Sequence, residues 1–207
     1  QILDLLCSAI GSLTNPSKIA DTILSRKKVD VSVNTLKNYL EHLKDAFLFT
    51  ESKRYDVKGK AYFEYPMKYY CEDIGLRNAR TGFRQMEMTH IMENIIFNEL
   101  RVRNFSVDVG IVYENGKNKN GNNIRIQREI DFIASKGNKK VYIQSAFAIP
   151  DRAKREQETF SLRHVNDNFR KVVITGNIHE KPWHDNDGIT FIGIVPFLLD
   201  PNSLETL

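Results

Sequence analysis

The sequence has little of what marks secreted, membrane-spanning or disulfide-stabilised proteins. It contains two cysteines, Cys7 and Cys71, which lie in different segments without CxxC or zinc-like spacing and which we interpret as reduced packing residues. No apolar run approaches the roughly 20 residues needed to cross a bilayer. No secretory signal pattern occurs at the start. We therefore expect a cytoplasmic protein with no membrane partner.

The composition is ordinary for a globular protein. In 207 residues, 41% are hydrophobic and 27% are charged, which fits one large domain or two small ones with a buried core. The net charge of +4 permits contact with nucleic acid without requiring it. The chain opens on Gln1 rather than Met, inside a predicted helix, so we expect a fragment of a longer protein.

Residues 1–67 have the pattern of a winged helix-turn-helix domain. An apolar stripe from Ile2 to Ile10 predicts a first helix, and Asn15-Pro16-Ser17 predicts the start of a second. A third helix, capped at Ser32 or Asn34, is predicted from apolar residues spaced at three and four, namely Leu36, Tyr39, Leu40 and Leu43. The runs 47–49 and 61–63 bracket a turn at residues 58–60, which predicts a two-stranded wing that ends at Pro66.

Basic residues cluster in the turn and the wing of this predicted domain. The candidate nucleic-acid contacts are Lys27, Lys28, Lys37, Lys53, Arg54, Lys58 and Lys60. On the third helix, however, Lys37 is accompanied by Glu41 and Asp45, a poor electrostatic match to phosphate. Two interpretations remain open: the turn and the wing clamp a nucleic-acid backbone, or the domain is a packing and protein-contact element.

The remainder of the chain predicts a mixed-sheet domain. Residues 68–84 are expected to form a connector, and residues 85–207 a second domain that opens with an amphipathic helix from Met88. Several strands and a helix over 151–168 follow. The predicted fold class is α/β, or α+β for the chain as a whole.

The stretch 125–146 carries the strongest chemical signal. Two runs rich in Ile, Val, Phe and Tyr flank the turn 135–138, which predicts a β-hairpin. Glu129 and Asp131 are two residues apart, so strand alternation predicts that both leave the sheet on one face. An acid beside an oxygen-bearing side chain such as Gln144 on the neighbouring strand is how a divalent metal is commonly held.

The order of motifs resembles the C-terminal region of a family of prokaryotic AAA+-type ATPases. The stretches are KYYCEDIGLR (68–77), HIMENIIFNEL (90–100), REIDFIA (128–134) and YIQSA (142–146). In that family a P-loop ATPase precedes a winged helix and a PD-(D/E)XK nuclease-like domain of unknown function. No GxxxxGK[ST] motif is present in this chain, so ATP belongs to an upstream domain, which the resemblance implies as a partner in the same polypeptide.

The resemblance implies a nuclease-like site made of Glu93, Asp131 and Gln144, in which Asp131 and Gln144 would hold Mg²⁺. The motif lysine is replaced by Ala146. We therefore expect a non-catalytic module that contacts DNA, RNA or a partner protein for an upstream ATPase. One alternative is a Mg²⁺-dependent nuclease with a relocated basic residue, for which Lys140, Arg152 and Lys154 are near in sequence. The other is a partner-recognition or assembly domain that does not bind nucleic acid.

Overall fold

A computed structural model describes residues 2–84, 86–118 and 121–205 of the chain. Gln1, on which the prediction of a fragment rests, lies outside the described residues. The helices are α1 (Ile2–Ser8), α2 (Pro16–Lys27), α3 (Val33–Asp45), α4 (Ile74–Arg80), α5 (Met88–Val102), α6 (Arg152–Arg163) and α7 (Ile194–Leu199). The strands are β1 (Phe49–Asp56), β2 (Ala61–Cys71), β3 (Ser106–Lys117), β4 (Asn123–Lys136), β5 (Lys139–Ala146), β6 (Arg170–Thr175), β7 (Trp183–His184) and β8 (Thr190–Gly193).

Within the described residues, eight strands form one mixed sheet in the order β2-β1-β3-β4-β5-β6-β8-β7. The β1/β3, β5/β6 and β6/β8 pairs are parallel, whereas β3/β4, β4/β5 and β7/β8 are antiparallel. The predicted hairpin in the stretch 125–146 is confirmed as β4 and β5. The chain therefore has the mixed α/β architecture that its sequence pattern predicted.

The chain divides into two compact units, each built from two segments. Unit 1 comprises residues 1–53 and 63–98, and unit 2 comprises residues 54–62 and 99–207. The sequence suggested contiguous domains with a connector at 68–84. In the structure, that stretch contains the end of β2 and all of α4, and it belongs to unit 1.

The three opening helices of unit 1 begin where the sequence indicates. The Asn15 side chain accepts a hydrogen bond from the Lys18 amide at 2.7 Å at the start of α2, and Pro16 occupies the first turn, where a missing amide hydrogen costs nothing. Ser32, one of the two predicted caps, accepts from the Thr35 amide at the start of α3. The buried faces of these helices form one core, which includes Leu6, Ile10, Ile19, Leu36 and Leu40.

Strand β2 is longer than predicted. Pro66 was expected to end the wing, but the strand continues through it to Cys71. Because β2 is the outermost strand of the sheet order, its proline does not interrupt a ladder on both sides. The two cysteines are free and buried, as expected for packing residues, and Cys71 ends this strand.

In unit 2, α6 contacts β4, β5 and β6. Leu162 and Val165 pack against Ile130, Tyr142 and Ala146 in one buried cluster. We call the side of the sheet that carries this cluster the α6 face. Among the described residues, no helix is both long and apolar enough to cross a membrane.

Candidate functional site

Glu93 is buried within unit 1 and is bound to two side chains of β2. Its carboxylate lies 2.9 Å from the Lys68 ammonium and accepts a hydrogen bond of 2.7 Å from the Tyr70 hydroxyl. The exposed fractions are 7% for Glu93 and 4% for Lys68, so water hardly screens the ion pair. The sequence-predicted acid is therefore part of a buried polar cluster with Lys68 and Tyr70, which the sequence did not identify as its partners.

Gly11 leaves room for this cluster. Its φ of +68° lies in the left-handed region that favours glycine. A Cβ atom at this position would lie 3.1 Å from a Glu93 carboxylate oxygen. Glycine is thus suited to this position both by its backbone conformation and by the close approach of Glu93.

Asp131 lies at a β-bulge in unit 2. Asp108 of β3 pairs with Ile133 and Gly110 pairs with Ile130, so the single residue between them on β3 faces both Asp131 and Phe132. Bulges break the alternation of side chains and re-aim the residues they contain. The Asp131 carboxylate accepts a hydrogen bond of 2.8 Å from the Ser145 amide of β5, and Asp131 is 8% exposed.

The bulge decides which residues of the hairpin share a face. Ile130 and Ile133 both belong to the cluster on the α6 face, so Asp131 and Phe132, which lie between them, project from the opposite face. On β5, Tyr142 and Ala146 pack in that same cluster, and alternation places Gln144 on the α6 face with them. Gln144 and Asp131 therefore leave the sheet on opposite sides.

This arrangement does not fit the predicted metal site. Mg²⁺ needs its oxygen ligands around a single point, and side chains on opposite faces of a sheet cannot supply them. In the described part of the chain, no group of three or more His, Cys, Asp or Glu residues is arranged to hold a metal ion. We derive no catalytic step through a metal from Asp131 and Gln144.

The β5 residue that contacts Asp131 is Ser145, which lies on the same face as Asp131 and is one position away from the one we predicted. Ser145 is 8% exposed, and its hydroxyl oxygen has no hydrogen-bond partner among the described residues. Ala146, the position aligned with the motif lysine, is 3% exposed in the core on the α6 face. Tyr142 and Ala146 are core residues four positions apart on one face of β5, and this apolar spacing was the sequence signal that could have shown which β5 residues face α6.

Gln144 lines a cleft of about 400 Å³ beside α6. The other lining residues include Arg128, Glu129, Glu156 and Ser161. The side-chain oxygen of Gln144 is buried and has no partner within the part of the chain that the structure describes. Of the three predicted site residues, Glu93 lies in unit 1, whereas Asp131 and Gln144 lie in unit 2.

The predicted nucleic-acid contacts are exposed, with two exceptions. Lys27, Lys28, Lys53, Lys58 and Lys60 are on the surface. Lys37 is partly buried, with its ammonium 5.4 Å from the centre of the Tyr65 ring. Arg54 lies in β1, at a position paired with Val109, and is 7% exposed, so we remove it from the set of surface contacts.

Comparison with known proteins identifies similar proteins whose function is not described. Residues 1–87 match a family described as a domain of unknown function, DUF8612. The chain is 38% identical over 199 residues to an uncharacterized protein of Haemophilus influenzae, covering 96% of this chain and 45% of that protein. It is 26% identical over 200 residues to the uncharacterized protein MJ1544 of Methanocaldococcus jannaschii, covering 94% and 42%. The chain thus spans less than half the length of either relative.

Among solved structures, the chain is similar to the crystal structure of protein VC1899 from Vibrio cholerae. The identity is 13% and the TM-score is 0.32, with 96% of this chain and 54% of that chain covered.

Proposed function

We propose that this chain is a non-catalytic module that contacts nucleic acid and belongs to the C-terminal region of a longer ATPase. The observation that carries the proposal is the succession of α1, α2, α3 and the β1–β2 hairpin, which is the element order of a winged helix. The turn of this hairpin presents Lys58 and Lys60 to solvent. Exposed lysines on a hairpin turn are suited to neutralise backbone phosphates.

The hairpin turn is held in a defined shape. The Asp56 carboxylate accepts hydrogen bonds from the amides of Lys58 at 3.0 Å and Gly59 at 2.8 Å, and the Lys60 amide donates to the Asp56 carbonyl at 2.8 Å. A side-chain oxygen that accepts from the following amides fixes the turn locally. The two lysines therefore start from an ordered backbone, which lowers the entropic cost of contacting a phosphate chain.

The chemistry of the nuclease-like residues supports the non-catalytic part of the proposal. Nuclease sites of this kind use a lysine to position water or to offset the developing charge. In this chain the aligned position is an alanine in the core. Glu93 is engaged by Lys68 and Tyr70, and Asp131 by the Ser145 amide. These contacts occupy the carboxylates that a hydrolytic site would need to bind a metal and water.

The C-terminal placement draws on the motif order and on the lengths of the relatives. Both relatives are more than twice as long as the region they share with this chain, which leaves room in them for an ATPase domain. In such a protein the module would hold a nucleic acid while the ATPase acts on it.

The double substitution Lys58→Ala/Lys60→Ala tests the proposal. We expect weaker binding to duplex DNA and a slope of log affinity against log salt that is smaller by about 2, because each lysine that contacts a phosphate contributes about 1. Fluorescence anisotropy over a salt series measures both quantities. The control Arg152→Ala/Lys181→Ala removes the same charge from other exposed positions and should bind like wild type. Equal affinity and slope in wild type and in the hairpin variant would contradict the proposal.

A further inference from the structure

A second basic surface lies within unit 1, away from the residues that the sequence singled out. Two adjoining clefts of about 450 and about 240 Å³ run along α1 and α2 and share Leu5, Ser8, Thr22 and Arg26 in their walls. We call them together the basic groove. Its charged lining residues are Asp4, Lys18, Arg26, Lys27, Arg80 and Arg84.

The charge of the basic groove is not cancelled internally. Arg80 donates two hydrogen bonds to Asp4, at 2.9 and 2.5 Å. Burial alone would raise the pKa of the Asp4 carboxyl, but the Arg80 hydrogen bond and the other positive charge nearby together lower it, so the acid stays ionised and bound to Arg80. Arg26, Lys27 and Arg84 form no ion pair within the described ranges 2–84, 86–118 and 121–205. Three cations are left facing solvent.

The residue types of the basic groove indicate which anion it fits. Two of the three cations left facing solvent, Arg26 and Arg84, are arginines, whose planar guanidinium matches the oxygens of a phosphate through two parallel hydrogen bonds. By comparison, the exposed face of α3 carries Glu41 and Asp45 beside Lys37. The groove is therefore the better match to a phosphate backbone.

The shape of the basic groove indicates a chain rather than a single small anion. Cations extend from Lys18 near the start of α2 to Arg26 and Lys27 at its end, and on to Arg84 beyond α4. Phe83 lies in the sequence between the lining residues Thr81 and Arg84, and it is 65% exposed. Proteins that bind single strands combine a positively charged groove with exposed aromatic rings on which bases stack.

We propose that the basic groove binds a single strand of nucleic acid, with Arg26, Lys27 and Arg84 on the phosphates and Phe83 beside a base. This inference rests on the proposed function and names the surface and the form of nucleic acid. It differs from the hairpin contact because its residues lie in α2 and in the segment after α4. The two surfaces can therefore be tested by separate substitutions.

The test uses the 207-residue chain and a labelled oligodeoxythymidylate of about 20 nucleotides, read by fluorescence anisotropy over a salt series. We expect Arg26→Ala/Arg84→Ala to weaken binding at least about tenfold and to lower the salt slope by about 1.4, because each contact to a single strand contributes about 0.7. Phe83→Ala should weaken binding by about tenfold with an unchanged salt slope, because it removes stacking without removing charge. Thermal unfolding of each variant checks that unit 1 remains folded.

The controls separate the possible outcomes. Arg152→Ala/Lys181→Ala should bind like wild type. Polyglutamate and inorganic phosphate should not displace the oligonucleotide at equal charge concentration. Displacement by polyglutamate would overturn the inference in favour of an acidic protein partner, and displacement by inorganic phosphate would overturn it in favour of a small-anion site.

The failure of this inference can be told from the failure of the proposed function. If wild type binds and the groove variants bind equally well, only the inference is overturned. If wild type binds neither the single strand nor duplex DNA at low salt, the proposed function fails and the inference fails with it.

Discussion

The substitution Glu93→Ala is expected to destabilise the protein by about 3–5 kcal/mol, because it removes one partner of a buried ion pair. The Lys68 ammonium would lose the carboxylate that lies 2.9 Å away, at a position only 4% exposed. The Tyr70 hydroxyl would lose its acceptor at the same time. Urea unfolding followed by circular dichroism measures the change in the free energy of unfolding.

Two controls identify the cause of this loss. Glu93→Gln keeps an acceptor for Tyr70 but removes the charge, so its cost should fall between that of wild type and that of Glu93→Ala. Glu156→Ala breaks a pair of similar geometry, 2.8 Å from Arg152, but both side chains are exposed and the expected change is within about 0.5 kcal/mol. A loss below about 1 kcal/mol for Glu93→Ala would show that the carboxylate is not part of the packing of unit 1.

The substitution Asn94→Ala should cost about 2–4 kcal/mol, because one side chain satisfies both backbone groups of Cys71. The Asn94 side-chain oxygen accepts from the Cys71 amide at 2.9 Å, and its nitrogen donates to the Cys71 carbonyl at 2.8 Å. Asn94 is fully buried, so water cannot replace either bond without rearrangement. The same urea titration measures the loss.

Two further variants test this explanation. Asn94→Asp keeps the acceptor but loses the donor and places a carboxylate near the Cys71 carbonyl, so it should be at least as destabilising near pH 7 and less so in acid, where the protonated acid can donate. Asn98→Ala removes only donor contacts, to the Cys71 and Glu72 carbonyls, from a partly buried side chain. It should cost about 1 kcal/mol. An effect of Asn94→Ala no greater than that of Asn98→Ala would contradict this role.

Local patterns predicted the elements of the fold well. Apolar spacing, the Asn15 and Ser32 caps and Pro16 predicted the three opening helices, since each of these signals acts within a few residues of chain. The β4–β5 hairpin followed from two apolar runs around a turn with Gly137, whose φ of +59° suits glycine. These features need no knowledge of the tertiary contacts.

The sites were harder to predict, because they depend on contacts between distant segments. Glu93 is 25 residues from Lys68 in the sequence, and nothing local pairs them. The bulge at Asp131 and Phe132 is set by the pairing with β3, and it changes which residues share a face. Arg54 looked like one of a surface pair with Lys53, but strand alternation in β1 exposes one and buries the other. The basic groove combines three helices, so no single stretch of sequence shows it.

The central claim, that the module contacts nucleic acid without cutting it, has a direct test. Labelled DNA and RNA, single-stranded and duplex, are titrated with the chain in Mg²⁺ or Mn²⁺, and binding and strand integrity are read in the same samples. Asp131→Asn, which keeps an acceptor for the Ser145 amide but removes the charge, is run beside wild type. We predict salt-sensitive binding and intact strands with both proteins. Metal-dependent cleavage by wild type that disappears in Asp131→Asn would contradict the account.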